Sequence, residues 1–170
     1  MAVALPVQRE DALARLRAVC GDQLITDEAA RRFASQDVYR AGQLPLAVFR
    51  PRDIEALARG IAAATEEGLA LFPRGGGMSY TDAYLPDRGD SIVIDMGAMN
   101  RVLSINETDL TARVEAGCTW ADLDAALRPQ GLRSVFWGPM SGRKSTVGGA
   151  MRQGAVTYGS GRYGTSASAA

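Results

Sequence analysis

The sequence predicts an α+β fold in two parts, a βαβ unit followed by a second, mixed α+β subdomain. Three observations carry this expectation. Two short apolar runs, Leu46–Phe49 and Leu69–Phe72, flank a stretch with apolar residues at helical spacing, which is the strand-helix-strand order of a parallel crossover unit. A further strand-like run, Ser91–Asp95, precedes two strand segments joined by Asn106-Glu107-Thr108-Asp109, turn residues that read as a hairpin connection. Finally, 170 residues with 46% hydrophobic content suffice for one domain or two small subdomains, not for a multidomain enzyme.

Taken in order, Leu13, Leu16 and Val19 follow the acidic pair Glu10 and Asp11 at helical spacing, and Gly21 supplies a stop. Residues 24–45 are irregular and polar and read as a partly helical connection ending at Pro45, so residues 1–44 are expected to be an N-terminal helical extension. Asp53 stands where an N-cap belongs, ahead of Ile54, Leu57, Ala58 and Ile61, and Gly68 ends that helix. Leu69–Phe72, bounded by Gly68 and Pro73, is expected as a buried strand paired in parallel with Leu46–Phe49. Arg101–Ile105 and Leu110–Glu115 form the hairpin. Thr119 with Asp122 makes a weak capping box for a helix through Leu123, Ala126 and Leu127. Beyond Trp137 the chain is rich in Gly, Ser, Thr and Arg, with apolar residues too sparse for a core element; it is either disordered or folded around something.

Composition removes several functions. The chain has no histidine, so a Ser-His-Asp or Cys-His catalytic set and a histidyl cofactor link are excluded. Nineteen basic residues balance nineteen acidic ones, which argues against a nucleic-acid or anionic-membrane surface. Cys20 and Cys118 are far apart and belong to no CxxC pair, so neither a disulfide framework nor a metal cluster is expected. No secretory signal and no apolar run long enough to span a membrane are present, which makes a cytoplasmic location the default.

Three glycine-rich segments invite a phosphate-binding reading, because backbone without a Cβ lets N–H groups converge on an anion. Arg74-Gly75-Gly76-Gly77-Met78-Ser79 is best placed, directly after a strand and so at the carboxyl end of a parallel sheet; the alternative is an ordinary turn. It departs from the dinucleotide fingerprint, since Tyr80 stands where the third glycine should be. Gly138–Ser145 misses the nucleotide-triphosphate loop because Arg143, not glycine, precedes Lys144; it continues into Thr146-Val147-Gly148-Gly149. Gly159–Gly164 matches GxGxxG, but no strand precedes it and no ribose-binding acid follows.

In this order, Pro73–Ser79, Ile92–Met96, Asn100–Leu103, Val114–Gly117 with Trp120 and Leu123, then Pro139, Thr146–Gly149 and Tyr163-Gly164 resemble the FAD-binding domain of the vanillyl-alcohol oxidase and p-cresol methylhydroxylase (PCMH) type of flavoprotein. The resemblance runs from residue 45 to residue 170 and implies a PCMH-type fold of two α+β subdomains with FAD held between them, incomplete at its C-terminus and without its substrate domain. It implies that Gly75, Gly76, Gly77, Met78 and Ser79 cradle the FAD pyrophosphate, helped by Arg74. It also implies that Pro139, Ser141, Thr146, Gly148, Gly149, Tyr163 and Gly164 line the flavin side and the rest of the diphosphate. Many members of the family attach the flavin through a histidine; Met78 stands at that kind of position and Cys118 lies outside the loop where a cysteinyl link is expected, so non-covalent FAD is implied. The expected function is the FAD-binding portion of a flavin-dependent oxidoreductase that oxidises an alcohol, a 2-hydroxy acid or a related C–H donor. Its small-molecule substrate and catalytic base would be handled by a domain outside these residues. The alternative is a non-catalytic or truncated flavin-binding module.

Overall fold

A computed structural model describes residues 9–137 and 140–169. The chain forms two compact units: residues up to Arg74 together with Ser79–Asp95, and Gly75–Met78 together with the residues from Met96 onward.

The first unit is built on a four-stranded sheet in the order β1-β2-β4-β3, comprising β1 (Leu24–Ile25), β2 (Ala47–Phe49), β3 (Ala70–Arg74) and β4 (Ser91–Asp95). β1 runs antiparallel to β2, whereas β2 and β3 both run parallel to β4. The expected parallel arrangement is thus present with one correction, since β4 lies between β2 and β3. Burial accounts for this. Ile92, Val93 and Ile94 are apolar without alternation and buried on both faces, which suits an inner strand. β3 is only half-buried and contains Pro73, whose missing N–H is tolerated at an edge, so the strand runs through the proline instead of stopping before it.

On one face of the sheet Val48 and Val93 pack with Ala34 of α2 (Glu28–Ala34), supported by Ile25 and Phe72. Full burial of side chains such as Val48 and Val93 contributes about 1.5–3 kcal/mol each. Phe49 points to the other face, under α3 (Ile54–Glu66). Asp53 caps α3 as expected, accepting from the Ala56 amide at 2.7 Å. The buried stripe, however, is Ala56, Gly60 and Ala64, while Ile54 and Ile61 are exposed. A Cβ at Gly60 would overlap the Phe49 ring, so the helix lies too close to the sheet for large side chains. The first helix, α1 (Arg9–Cys20), packs beside α3 and likewise buries Ala12, Leu16 and Cys20, leaving Val19 exposed.

The second unit carries the expected hairpin, β5 (Val102–Asn106) with β6 (Thr111–Val114), and α4 (Trp120–Leu127) capped by Thr119. Val102, Ile105 and Val114 pack against Trp120, Leu123, Leu127, Cys118, Phe136 and Val147. Here the tail beyond Trp137 departs from expectation. It contributes α5 (Val147–Gln153) and α6 (Ser160–Tyr163), and Val147, Ala150 and Met151 join the core. One apolar face on a two-turn helix suffices because the hairpin and α4 already supply the rest of the cluster.

Candidate functional site

β3 ends at Arg74, in register with Asp95 of β4, and the glycine loop leaves the sheet there. Gly77 takes a φ of 68°, the left-handed conformation that glycine adopts without a steric penalty. Gly75 and Gly76 lie against the segment Lys144–Thr146: a Cβ on Gly75 would sit 2.5 Å from Thr146 Oγ1, and one on Gly76 would overlap the Lys144 carbonyl oxygen. Among the described residues, the amides of Gly75, Gly76 and Met78 donate to no protein acceptor. Ser145 Oγ beside them is buried and unpartnered among the described residues. Buried polar groups are normally hydrogen-bonded, so a cradle of free N–H donors next to an orphaned hydroxyl fits an anion. This is the chemistry a diphosphate requires, and these residues fit that part of FAD.

The second glycine pair is organised differently. Thr146 forms an isolated bridge with Thr119, and the Val147 amide donates to the Cys118 carbonyl at 2.8 Å. The Gly148 amide donates to the Ala116 carbonyl at 3.1 Å, and Thr146 Oγ1 accepts from the Gly149 amide at 3.2 Å, capping α5. A Cβ on Gly148 would sit 2.6 Å from the Ala116 oxygen. The first-turn donors of α5 are therefore used inside the protein, and Gly148 is required by close backbone approach. Ala116 is held in place through its neighbour: buried Glu115 accepts from Arg101 Nη2 at 2.6 Å and from the Arg101 amide at 2.8 Å. These bonds, the side-chain one first, hold the Glu115 carboxyl below the usual carboxylate range.

Arg74 is buried, with its guanidinium turned into the first unit, where Nη1 donates to the carbonyls of Gln36 at 2.8 Å and Ala34 at 3.4 Å. Ser79 Oγ shares a hydrogen bond with Thr81 Oγ1 at 2.8 Å. Ser141 lies in a 3-10 turn, Met140–Arg143, while Pro139 falls outside the described residues. Tyr163 is exposed at the end of α6, its ring beneath the Arg162 guanidinium, and Gly164 ends that helix at a φ of 79°. Cys118 is fully buried, and burial pushes its thiol up, away from the reactive thiolate. Among the described residues no group of three metal-binding side chains occurs, and no helix is long and apolar enough to cross a membrane.

Residues 45–169 match the family described as FAD binding domain. The chain belongs to this family. D-2-hydroxyglutarate dehydrogenase of Pseudomonas putida is 35% identical to it over 148 residues, covering 81% of this chain and 14% of that protein. Among solved structures, alkyldihydroxyacetonephosphate synthase superposes with a TM-score of 0.81 at 26% identity, covering 97% of this chain and 36% of its own. p-Cresol methylhydroxylase superposes with a TM-score of 0.63 at 20% identity over 72% of this chain and 25% of its own, a likeness of fold. The FAD-binding domain thus has the PCMH-type fold that the sequence resemblance implied. The chain spans well under half the length of these relatives. Sequence reasoning passed over Ser145. It adjoins Thr146 in the second glycine segment and was within reach.

Proposed function

We propose that this domain is the FAD-binding portion of a flavin-dependent oxidoreductase, with residues 45–170 holding the cofactor and residues 1–44 as its N-terminal extension. The observation that carries the reading is the row of amides at Gly75, Gly76 and Met78, just after β3, that have no acceptor among the described residues, beside Ser145 Oγ, which is buried and likewise unpartnered among them. In this reading Gly75–Ser79 and Ser145 receive the diphosphate, while Thr146, Gly148 and Gly149 shape the wall behind it and Pro139, Ser141, Tyr163 and Gly164 border the flavin. Bound FAD supplies hydride or electron acceptance, so histidine-free residues can serve an oxidation. The relative named for D-2-hydroxyglutarate favours a 2-hydroxy acid as substrate over a simple alcohol. The substrate base belongs to residues beyond these. Association is non-covalent, because Met78 stands where a histidyl link would form and the Cys118 thiol is buried. A cytoplasmic location accords with the absence, among the described residues, of a helix long and apolar enough to cross a membrane.

The test is direct. Purified chain incubated with FAD and desalted is expected to be yellow and to release all its flavin on acid precipitation. A colourless protein overturns the reading, and flavin retained in the acid pellet overturns the non-covalent part.

A further inference from the structure

The glycine loop is bracketed in the chain by Arg74 and Ser79, and one side chain touches both. The Tyr84 ring centroid lies 4.9 Å from the Arg74 guanidinium carbon, and that of Phe33 lies 5.4 Å from it. The Tyr84 hydroxyl donates to the Ser79 carbonyl at 3.4 Å. Arg74 is only 7% exposed, and its Nη1 is engaged with the Gln36 and Ala34 carbonyls. A buried guanidinium within cation–π reach of two rings and bonded through Nη1 to two carbonyls is a fixed post, since rotating it breaks those contacts together. The loop it precedes holds three successive glycines, the residues with the most conformational freedom to lose. A cradle of open amides binds an anion well only when its ends are already fixed.

We propose that Arg74 and Tyr84 are positioning residues that clamp the two ends of the glycine loop, and that Arg74 acts on a bound diphosphate through loop geometry and not by contact. The clamp itself is independent of the FAD reading; its effect on affinity rests on that reading.

The experiment uses the whole 170-residue chain, wild type, R74K and Y84F, without flavin, and measures backbone amide order parameters by NMR relaxation. Wild-type Gly75–Met78 is expected near about 0.85, falling below about 0.6 in R74K, with Gly77–Ser79 loosened to a smaller extent in Y84F and β4 unchanged in both. FAD titration should then show R74K binding about tenfold more weakly, because lysine keeps the charge but loses the planar fork. The salt dependence of the affinity should match that of the wild type. Unchanged order parameters in both variants overturn the clamp. So does R74K with wild-type affinity alongside an R74A variant whose affinity is weaker and less salt-dependent, the signature of direct phosphate contact. If R74K fails to fold, judged by loss of the β4 signals, Y84F decides alone: a loosened Gly77–Ser79 supports the clamp and an unchanged one overturns it. If the wild type takes up no FAD, the function proposed above fails while the order parameters still decide the clamp.

Discussion

The loops at Gly75–Gly77 and Gly148–Gly149 have similar composition and opposite hydrogen-bond arrangements. In the first, the amides of Gly75 and Gly76 have no protein acceptor among the described residues, and the glycines make room for the Thr146 side chain and the Lys144–Ser145 backbone. In the second, every first-turn donor of α5 is satisfied by Cys118, Ala116 or Thr146, and the glycines let α5 approach the chain at Ala116. Glycine in a phosphate-binding fold therefore serves two purposes, exposing donors in one place and permitting close packing in another. Only the destination of the N–H groups separates them.

The largest expected effect breaks the first loop. Gly76→Val would drive its side chain into the Lys144 carbonyl, and FAD uptake should be abolished, measured as flavin absorbance after desalting. Wild-type uptake would mean the loop is only a turn. Gly148→Ala attacks the second loop and should behave oppositely. Overpacking against Ala116 should cost about 1–3 kcal/mol in chemical denaturation, while FAD affinity of the folded fraction stays within about twofold, because no free donor is lost. A large affinity loss without a stability loss would erase the distinction between the loops.

Ser145→Ala sharpens the comparison from the ligand side. Removing an unpartnered buried hydroxyl should leave the flavin-free protein as stable or slightly more so, whereas FAD affinity should fall about 3- to 10-fold, the worth of one hydrogen bond. Thr146→Ala removes the cap of α5 and should lower stability by about 1 kcal/mol, with Thr146→Ser retaining most of it in the same denaturation series. The smallest effect concerns the support behind Ala116. Because Arg101 holds the Glu115 carboxyl below its ordinary value, the pair stabilises the fold above the usual carboxylate range, and that contribution is lost as pH falls through the lowered value. Glu115→Gln should therefore show a lower Tm than wild type at neutral pH, and the two should converge in acid. A gap independent of pH would assign the loss to packing.

Much of this was legible in the residues. Asp53 and Thr119 cap helices where their spacing places them, and the runs Ala47–Phe49 and Ser91–Asp95 are strands, because caps and apolar runs are decided by neighbours within a few positions. The loop Gly75–Gly77 was marked by three glycines after a strand, and the family by the series of motifs from Pro73 to Gly164. Other features depend on partners tens of residues away. β4 sits between β2 and β3 because its residues are apolar on both faces. α3 buries Ala56, Gly60 and Ala64 because Phe49 occupies the space above the sheet. Arg74 turns towards the carbonyls of Gln36 and Ala34. The sequence by itself determined where the chain turns, caps and extends, since those are local energies. Tertiary structure alone decided which glycine amides stay open and which are consumed, since a hydrogen bond is allotted by whatever acceptor the folded chain brings near.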